Sequence, residues 1–186
     1  MNIDHSIIWR RLDIPGHETA RIYGDGDRWY LDGAAIFVFE HKPCRLEYLI
    51  ECGPDWRTAF VNIDGWVGDD LIEIEISVSD RGGWVLNGEK IAAVRGCSDI
   101  DLNFSPVTNL LPIRRLNISA GELKKVRAAW LRFPSFDLEP LDQIYTALDE
   151  TTVLYESGSG TRFTTELKVD GTGLVVEYPG YWKSEP

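Results

Sequence analysis

Apolar and polar residues alternate with a period of two along most of this chain. Between Leu71 and Ser79, Ile72, Ile74, Ile76 and Val78 alternate with Glu73, Glu75, Ser77 and Ser79. Successive side chains of an extended strand point to opposite faces, so this run predicts a strand with one buried and one wet face. Arg162–Asp170 repeats the pattern, with Phe163, Thr165, Leu167 and Val169 on one face and Arg162, Thr164, Glu166 and Lys168 on the other. Asp170-Gly171 then marks a turn, and Leu174-Val175-Val176 resumes extended chain. The same reading predicts strands over Ile7–Leu12, Thr19–Tyr23, Trp29–Glu40, Arg45–Cys52, Arg57–Ile63, Gly83–Leu86, Ser98–Leu102, Arg114–Ile118, Ala128–Phe133, Gln143–Ala147 and Val153–Glu156.

Turn signals separate these runs: Asp25-Gly26, Lys42-Pro43, Gly53-Pro54, Asp64-Gly65, Arg81-Gly82-Gly83, Asn87-Gly88 and Ser157-Gly158-Ser159-Gly160. Short strands with such regular punctuation predict an all-β sandwich or barrel. A helix has one opening. Ser119-Ala120-Gly121-Glu122 fits a capping box ahead of Leu123–Trp130, although Val126, Ala128 and Trp130 also fit a strand. The expected fold is therefore all-β with at most one short helix, and one domain spanning residues 1–186. Trp29–Glu40 alone covers about 40 Å at the usual strand rise. Strands of that length and number point to an open or partly closed barrel with a cavity.

Composition narrows the function classes. The chain has 186 residues, 44% hydrophobic and 26% charged, which suits a globular fold with a substantial core. Its net charge of −11 disfavours nucleic acid and anionic membrane surfaces as partners. The longest apolar stretch, Ala34–Phe39, is far too short for a membrane span. Met1–Asp13 lacks a basic segment followed by an apolar run, so the chain reads as cytoplasmic. Cys44, Cys52 and Cys97 then read as free thiols.

Few motifs carry chemistry. His5, His17 and His41 are scattered and predict no metal site. No dinucleotide or P-loop fingerprint implies a cofactor, and Ser157-Gly158-Ser159-Gly160 lacks the context of a nucleophile elbow. Asp99 and Asp101 stand at i and i+2 and share a face if their strand is regular. Arg114 and Arg115 are adjacent, so a strand would send one of them inward, where it must be paired or bind an anion. Seven Trp, seven Tyr and seven Phe supply core packing and the aromatic walls an amphiphilic ligand needs.

Three segments are recognisable. They are Gly96-Cys97-Ser98-Asp99-Ile100-Asp101-Leu102, then Ser105–Leu116 with its core Thr108-Asn109-Leu110-Leu111-Pro112-Ile113-Arg114-Arg115-Leu116, and Val169-Asp170 with Gly173-Leu174-Val175 and Tyr178-Pro179-Gly180-Tyr181-Trp182. Together with Trp9, Tyr48 and Trp56-Arg57 they resemble the bacterial putative glycolipid-binding family, a domain of unknown function. Ser105 stands where that family has Thr, which keeps the hydroxyl. The resemblance implies a single large curved antiparallel sheet forming an unclosed β-barrel, similar to periplasmic lipoprotein carriers. It implies a lipid or glycolipid ligand, handled inside the cell because this chain shows no export signal, and it transfers no catalytic residue. By position, Asp99, Asp101, Asn109, Arg114 and Arg115 form the expected polar centre, with Trp56, Arg57, Tyr178 and Trp182 on the cavity wall or rim. Two other readings stand beside ligand carriage. One is an enzyme on a small amphiphile or sugar, with Asp99 or Asp101 as acid or base. The other is an interaction module whose sheet edges pair with a partner.

Overall fold

The alternating runs become long strands in the computed structural model, which describes residues 2–158 and 162–186. A first meander comprises β1 (Asn2–Arg11), β2 (Gly16–Asp25), β3 (Arg28–Phe39), β4 (Lys42–Cys52), β5 (Thr58–Val67) and β6 (Asp70–Val78), ending in the small hairpin β7 (Trp84–Leu86) and β8 (Glu89–Lys90). β9 (Asp99–Leu102) leads through a 3-10 turn, Val107–Asn109, into the single α-helix of the described residues, α1 (Leu110–Leu116). A second meander follows: β10 (Leu123–Leu131), β11 (Leu138–Ala147), β12 (Thr152–Ser157), β13 (Phe163–Val169), β14 (Val175–Tyr178) and β15 (Trp182–Glu185).

β15 pairs with β1, so both meanders join in one sheet of 15 strands, ordered β8-β7-β6-β5-β4-β3-β2-β1-β15-β14-β13-β12-β11-β10-β9. Neighbours are antiparallel except β9 and β10, which run parallel. Among the described residues no ladder joins the two ends of the sheet, β8 and β9, and the barrel is unclosed. Thr58, at the start of β5, bonds to the β9 segment instead. Its N–H donates to the Ser98 carbonyl (3.2 Å), and its Oγ1 accepts from the Ile100 N–H (2.9 Å). No helix among the described residues is long and apolar enough to cross a membrane.

The inner face carries the apolar half of each alternation. Ala20 and Ile22, Leu31, Ala35 and Phe37, Leu46 and Ile50, and Val61 and Ile63 form the core of the first meander. Val126, Tyr145, Val153, Tyr155, Leu167, Val169 and Val175 form a second cluster. Helix α1 joins them, with Leu110 and Leu111 in the first cluster and Ile113 and Leu116 against the second.

Three local expectations are corrected, at Arg114–Ile118, Asp64-Gly65 and Lys42-Pro43. Residues 110–116 form a helix, where Arg114–Ile118 reads as a strand in sequence. Pro112 sits in the first turn, where its missing N–H costs no helical hydrogen bond. Arg114 and Arg115 occupy the last turn, favoured there by the helix dipole, and Asn117 ends the helix in a left-handed conformation (φ 43°). Of the two alternatives for Leu123–Trp130, the strand is the one that forms, as β10. Only half of the capping box forms, Ser119 N–H to the Glu122 carboxylate (3.1 Å); the Glu122 N–H donates to the Ser119 backbone carbonyl (2.9 Å) and closes only a turn. Val126 and Ala128, buried on either side of exposed Arg127, then hold the chain extended.

Asp64-Gly65 is also no turn. It lies within β5, where a Cβ on Gly65 would collide with the Arg45 carbonyl of β4. The β3–β4 turn falls at Glu40 and His41, both left-handed, two residues before Lys42-Pro43. The expected turn at Ser157-Gly158-Ser159-Gly160 lies partly outside the described residues.

Candidate functional site: an aromatic cleft with a carboxyl at its wall

The second meander, the end of β1 and the β9–α1 connection enclose a cleft of about 520 Å³. Its apolar wall is aromatic. Tyr178 lies edge-on to Tyr181 and Trp182, with ring centroids at 5.3 and 5.4 Å, and Phe163 lies edge-on to Tyr181 at 5.7 Å. Facing groups come from Phe39, Phe104 and Phe133, the last two 6.4 Å apart. Such edge-to-face contacts hold the rings in place without a ligand.

A hydrogen-bonded polar chain meets this wall. Gln143 Nε2 donates to Asp101 Oδ2 (2.6 Å) and lies 3.0 Å from the Tyr155 hydroxyl. Asn109 Nδ2 donates to the Tyr145 hydroxyl (3.0 Å), which in turn lies 3.5 Å from Gln143 Oε1. Asp101, Asn109 and Tyr155 line the cleft directly. Shielding from water pushes the Asp101 carboxyl up to about 6, and the Gln143 amide offsets this only in part.

The nine residues expected at the site divide. Asp101, Asn109, Tyr178 and Trp182 line the cleft. Asp99, Arg114, Arg115, Trp56 and Arg57 do not. Asp99 is buried and receives two bonds from Arg115, Nε to Oδ1 at 2.9 Å and Nη2 to Oδ2 at 2.6 Å. Burial raises its carboxyl and the Arg115 bonds oppose that rise. Arg114 lies over the Trp56 ring (5.4 Å), and Trp56 stacks on Trp29 (4.6 Å, 17° between planes). The Arg114 Nε is buried without a partner among the described residues. Arg57 is exposed and pairs with Asp55 at 3.1 Å.

Two polar features escape the sequence reading. Glu18 on β2 is 1% exposed, accepts from the Tyr48 hydroxyl (2.6 Å) and from Ser105 Oγ, and has no partner at Oε2 among the described residues. Burial pushes it up to about 7, against the opposing pull of those hydroxyls and of Arg11. The second feature is Arg11 itself, which lines the cleft. Parity is the signal that finds both. Glu18 alternates with Ala20 and Ile22, and Arg11 follows Trp9, so each is a charge in an apolar register.

Comparison with known proteins agrees with this architecture. A family profile described as "Putative glycolipid-binding" matches residues 6–184. The crystal structure of a DUF1089 family protein from Pseudomonas aeruginosa is similar, at 30% identity and TM-score 0.77, over 89% of this chain and 91% of that one. A β-barrel-like protein of a domain of unknown function, DUF1849, from Brucella abortus shares the fold alone, at 8% identity and TM-score 0.56, over 97% and 93% of the two chains. No curated protein matches the chain. With its helix, its recognisable segments and nearly all of its sheet inside the matched span, this chain belongs to the putative glycolipid-binding family.

Proposed function

We propose that this protein binds an amphiphile with a hydroxylated head, a glycolipid in the simplest case, within the aromatic cleft. One observation carries the reading: a continuous aromatic wall meets a carboxyl, Asp101, whose hydrogen-bond partner is a neutral amide. A sugar hydroxyl can donate to Asp101 Oδ1, and its C–H faces can lie on the tyrosine and tryptophan rings. The hydrocarbon portion takes the Phe39, Phe104 and Phe133 side. A volume of about 520 Å³ suits a small amphiphile or the head and first methylenes of a larger one.

Octyl β-D-glucopyranoside, titrated below its micelle concentration against intrinsic tryptophan fluorescence, tests this. Trp130 and Trp182 line the cleft and report occupancy. A saturable change that weakens about tenfold in Asp101→Leu supports the proposal; no change in the wild-type protein contradicts it.

The raised Asp101 carboxyl favours one further reading, as an acid or base acting on a bound sugar or ester. Turnover of a nitrophenyl glycoside or ester that is lost in Asp101→Asn, with octyl glucoside binding retained, would favour it.

A further inference from the structure

A second polar centre of the cleft is built around Arg11, and it rests on reading the cleft as an amphiphile site. Arg11 on β1 pairs with Trp182 on β15, and its other neighbour, through the Arg10 and His17 register, is Gly16 on β2. Gly16 in turn pairs with Phe37 on β3. A Cβ at Gly16 would come within 2.5 Å of Phe37 Cβ, so this row carries no side chain between Arg11 and Phe37. The guanidinium crosses that gap and lies between two rings, 4.8 Å from the Phe37 centroid and 5.1 Å from that of Trp182. Its stem and head are fixed by packing on both sides.

The charge of Arg11 is already compensated. Asp13, in the turn after β1, takes Nε (3.2 Å) and Nη2 (2.8 Å). Glu18, the next inward position on β2 after Gly16, also feels the guanidinium. A further carboxylate or phosphate would have to compete with Asp13, in a chain of net charge −11. Donor capacity is nevertheless left over. The bonds to Asp13 use Arg11 Nε and Nη2 and leave Nη1 out, and the indole N–H of Trp182, a residue only 5% exposed, is buried without a partner among the described residues. Spare donors at one end of the cleft, on a charge already paired with Asp13, suit an uncharged oxygen.

We infer that the Arg11–Trp182 end of the cleft receives a neutral acyl carbonyl, the ester or amide linkage of an acylated amphiphile. Asp101 then takes hydroxyls and Arg11 takes the linkage, so the ligand class is an uncharged acylated polyol.

Three eight-carbon probes separate the alternatives by calorimetry: octyl β-D-glucopyranoside, 1-O-octanoyl-β-D-glucose and octanoate. The ester is expected to bind about tenfold tighter than the ether, the worth of one hydrogen bond to a charged donor, with octanoate weakest. Arg11→Met keeps a side chain between the two rings and removes the donors. It should bring ester and ether to equal affinity, and Arg11→Lys should recover part of the preference. Equal binding of ester and ether to the wild-type protein overturns the carbonyl assignment while leaving the cleft reading intact. So does tightest binding of octanoate, or an ester preference that survives in Arg11→Met. The wild-type comparison decides even if Arg11→Met does not fold. Failure of all three probes overturns both this inference and the cleft reading beneath it.

Discussion

The Asp99 carboxylate and the Arg115 guanidinium meet in a two-bonded ion pair, 2.9 and 2.6 Å, that ties β9 to the last turn of α1 outside the cleft. Both side chains are sequestered, at 2% and 12% exposure. Removing one partner strands the other charge. Asp99→Asn is expected to cost about 3–5 kcal/mol in urea denaturation, whereas Asp99→Leu with Arg115→Met should lie closer to the wild-type protein. Octyl glucoside affinity of the folded Asp99→Asn fraction should not change. A large loss of binding without loss of stability would move the pair into the site.

Glu18 makes stability depend on pH in a predictable direction. Its carboxyl sits near 7 in the folded chain against an ordinary 4.5, so the folded state holds the proton more tightly. Stability from this group is full below pH 4.5, falls as the pH rises to about 7, and is flat above. The gap corresponds to about 3 kcal/mol at 1.4 kcal/mol per pH unit. Asp101, raised to about 6, adds a smaller decline of the same sign. Glu18→Gln should remove most of this limb and be the more stable protein at pH 8. Superimposable profiles from pH 4 to 8 would contradict the burial of a titrating Glu18.

Gly33 pairs with Tyr48 across β3 and β4, and the phenol lies where a Gly33 side chain would be. A Cβ there would overlap the Tyr48 ring and approach the Thr19 carbonyl to 2.6 Å. Gly33→Ala therefore displaces Tyr48 and breaks its bond to Glu18. A loss of about 1–3 kcal/mol is expected, read as a fall of several degrees in Tm. An unchanged Tm would contradict this packing.

Asp101 should give ligand binding its own pH dependence. An ionised carboxylate accepts a sugar hydroxyl more strongly than a neutral acid does. Octyl glucoside affinity is expected to rise between pH 5 and 7, with a midpoint near 6, in fluorescence titrations. Asp101→Asn should flatten that dependence. A midpoint near 4 would show Asp101 in an ordinary, wet environment.

Much of the fold is written in local alternation, because a strand with one buried face repeats every two residues whatever it pairs with. Ile72 to Val78 and Phe163 to Val169 read correctly for that reason. Helix α1 does not. Seven residues containing Pro112 and two adjacent arginines show no helical stripe, and their conformation is set by Leu110 and Leu111 burying on one cluster and Ile113 and Leu116 on the other. The candidate site is partly legible. Position in the sequence points Asp101, Asn109, Tyr178 and Trp182 to the cavity, and they line it, whereas it points Arg114 and Arg115 there through a strand geometry that they do not have. Glu18, Tyr48 and Ser105 converge across 30 and 87 residues, a distance that no short motif spans. The pairing of β15 with β1 and the parallel β9–β10 contact are likewise products of tertiary closure.

The most direct test of the central claim, that the aromatic cleft holds an amphiphile, is native mass spectrometry of protein purified without detergent, with organic extraction of whatever it carries. A reproducible adduct at one molecule per chain is predicted, with the extract yielding an uncharged acylated polyol and the adduct depleted in Asp101→Leu. A clean unliganded mass that stays unliganded on incubation with octyl glucoside and octanoyl glucose would contradict the account.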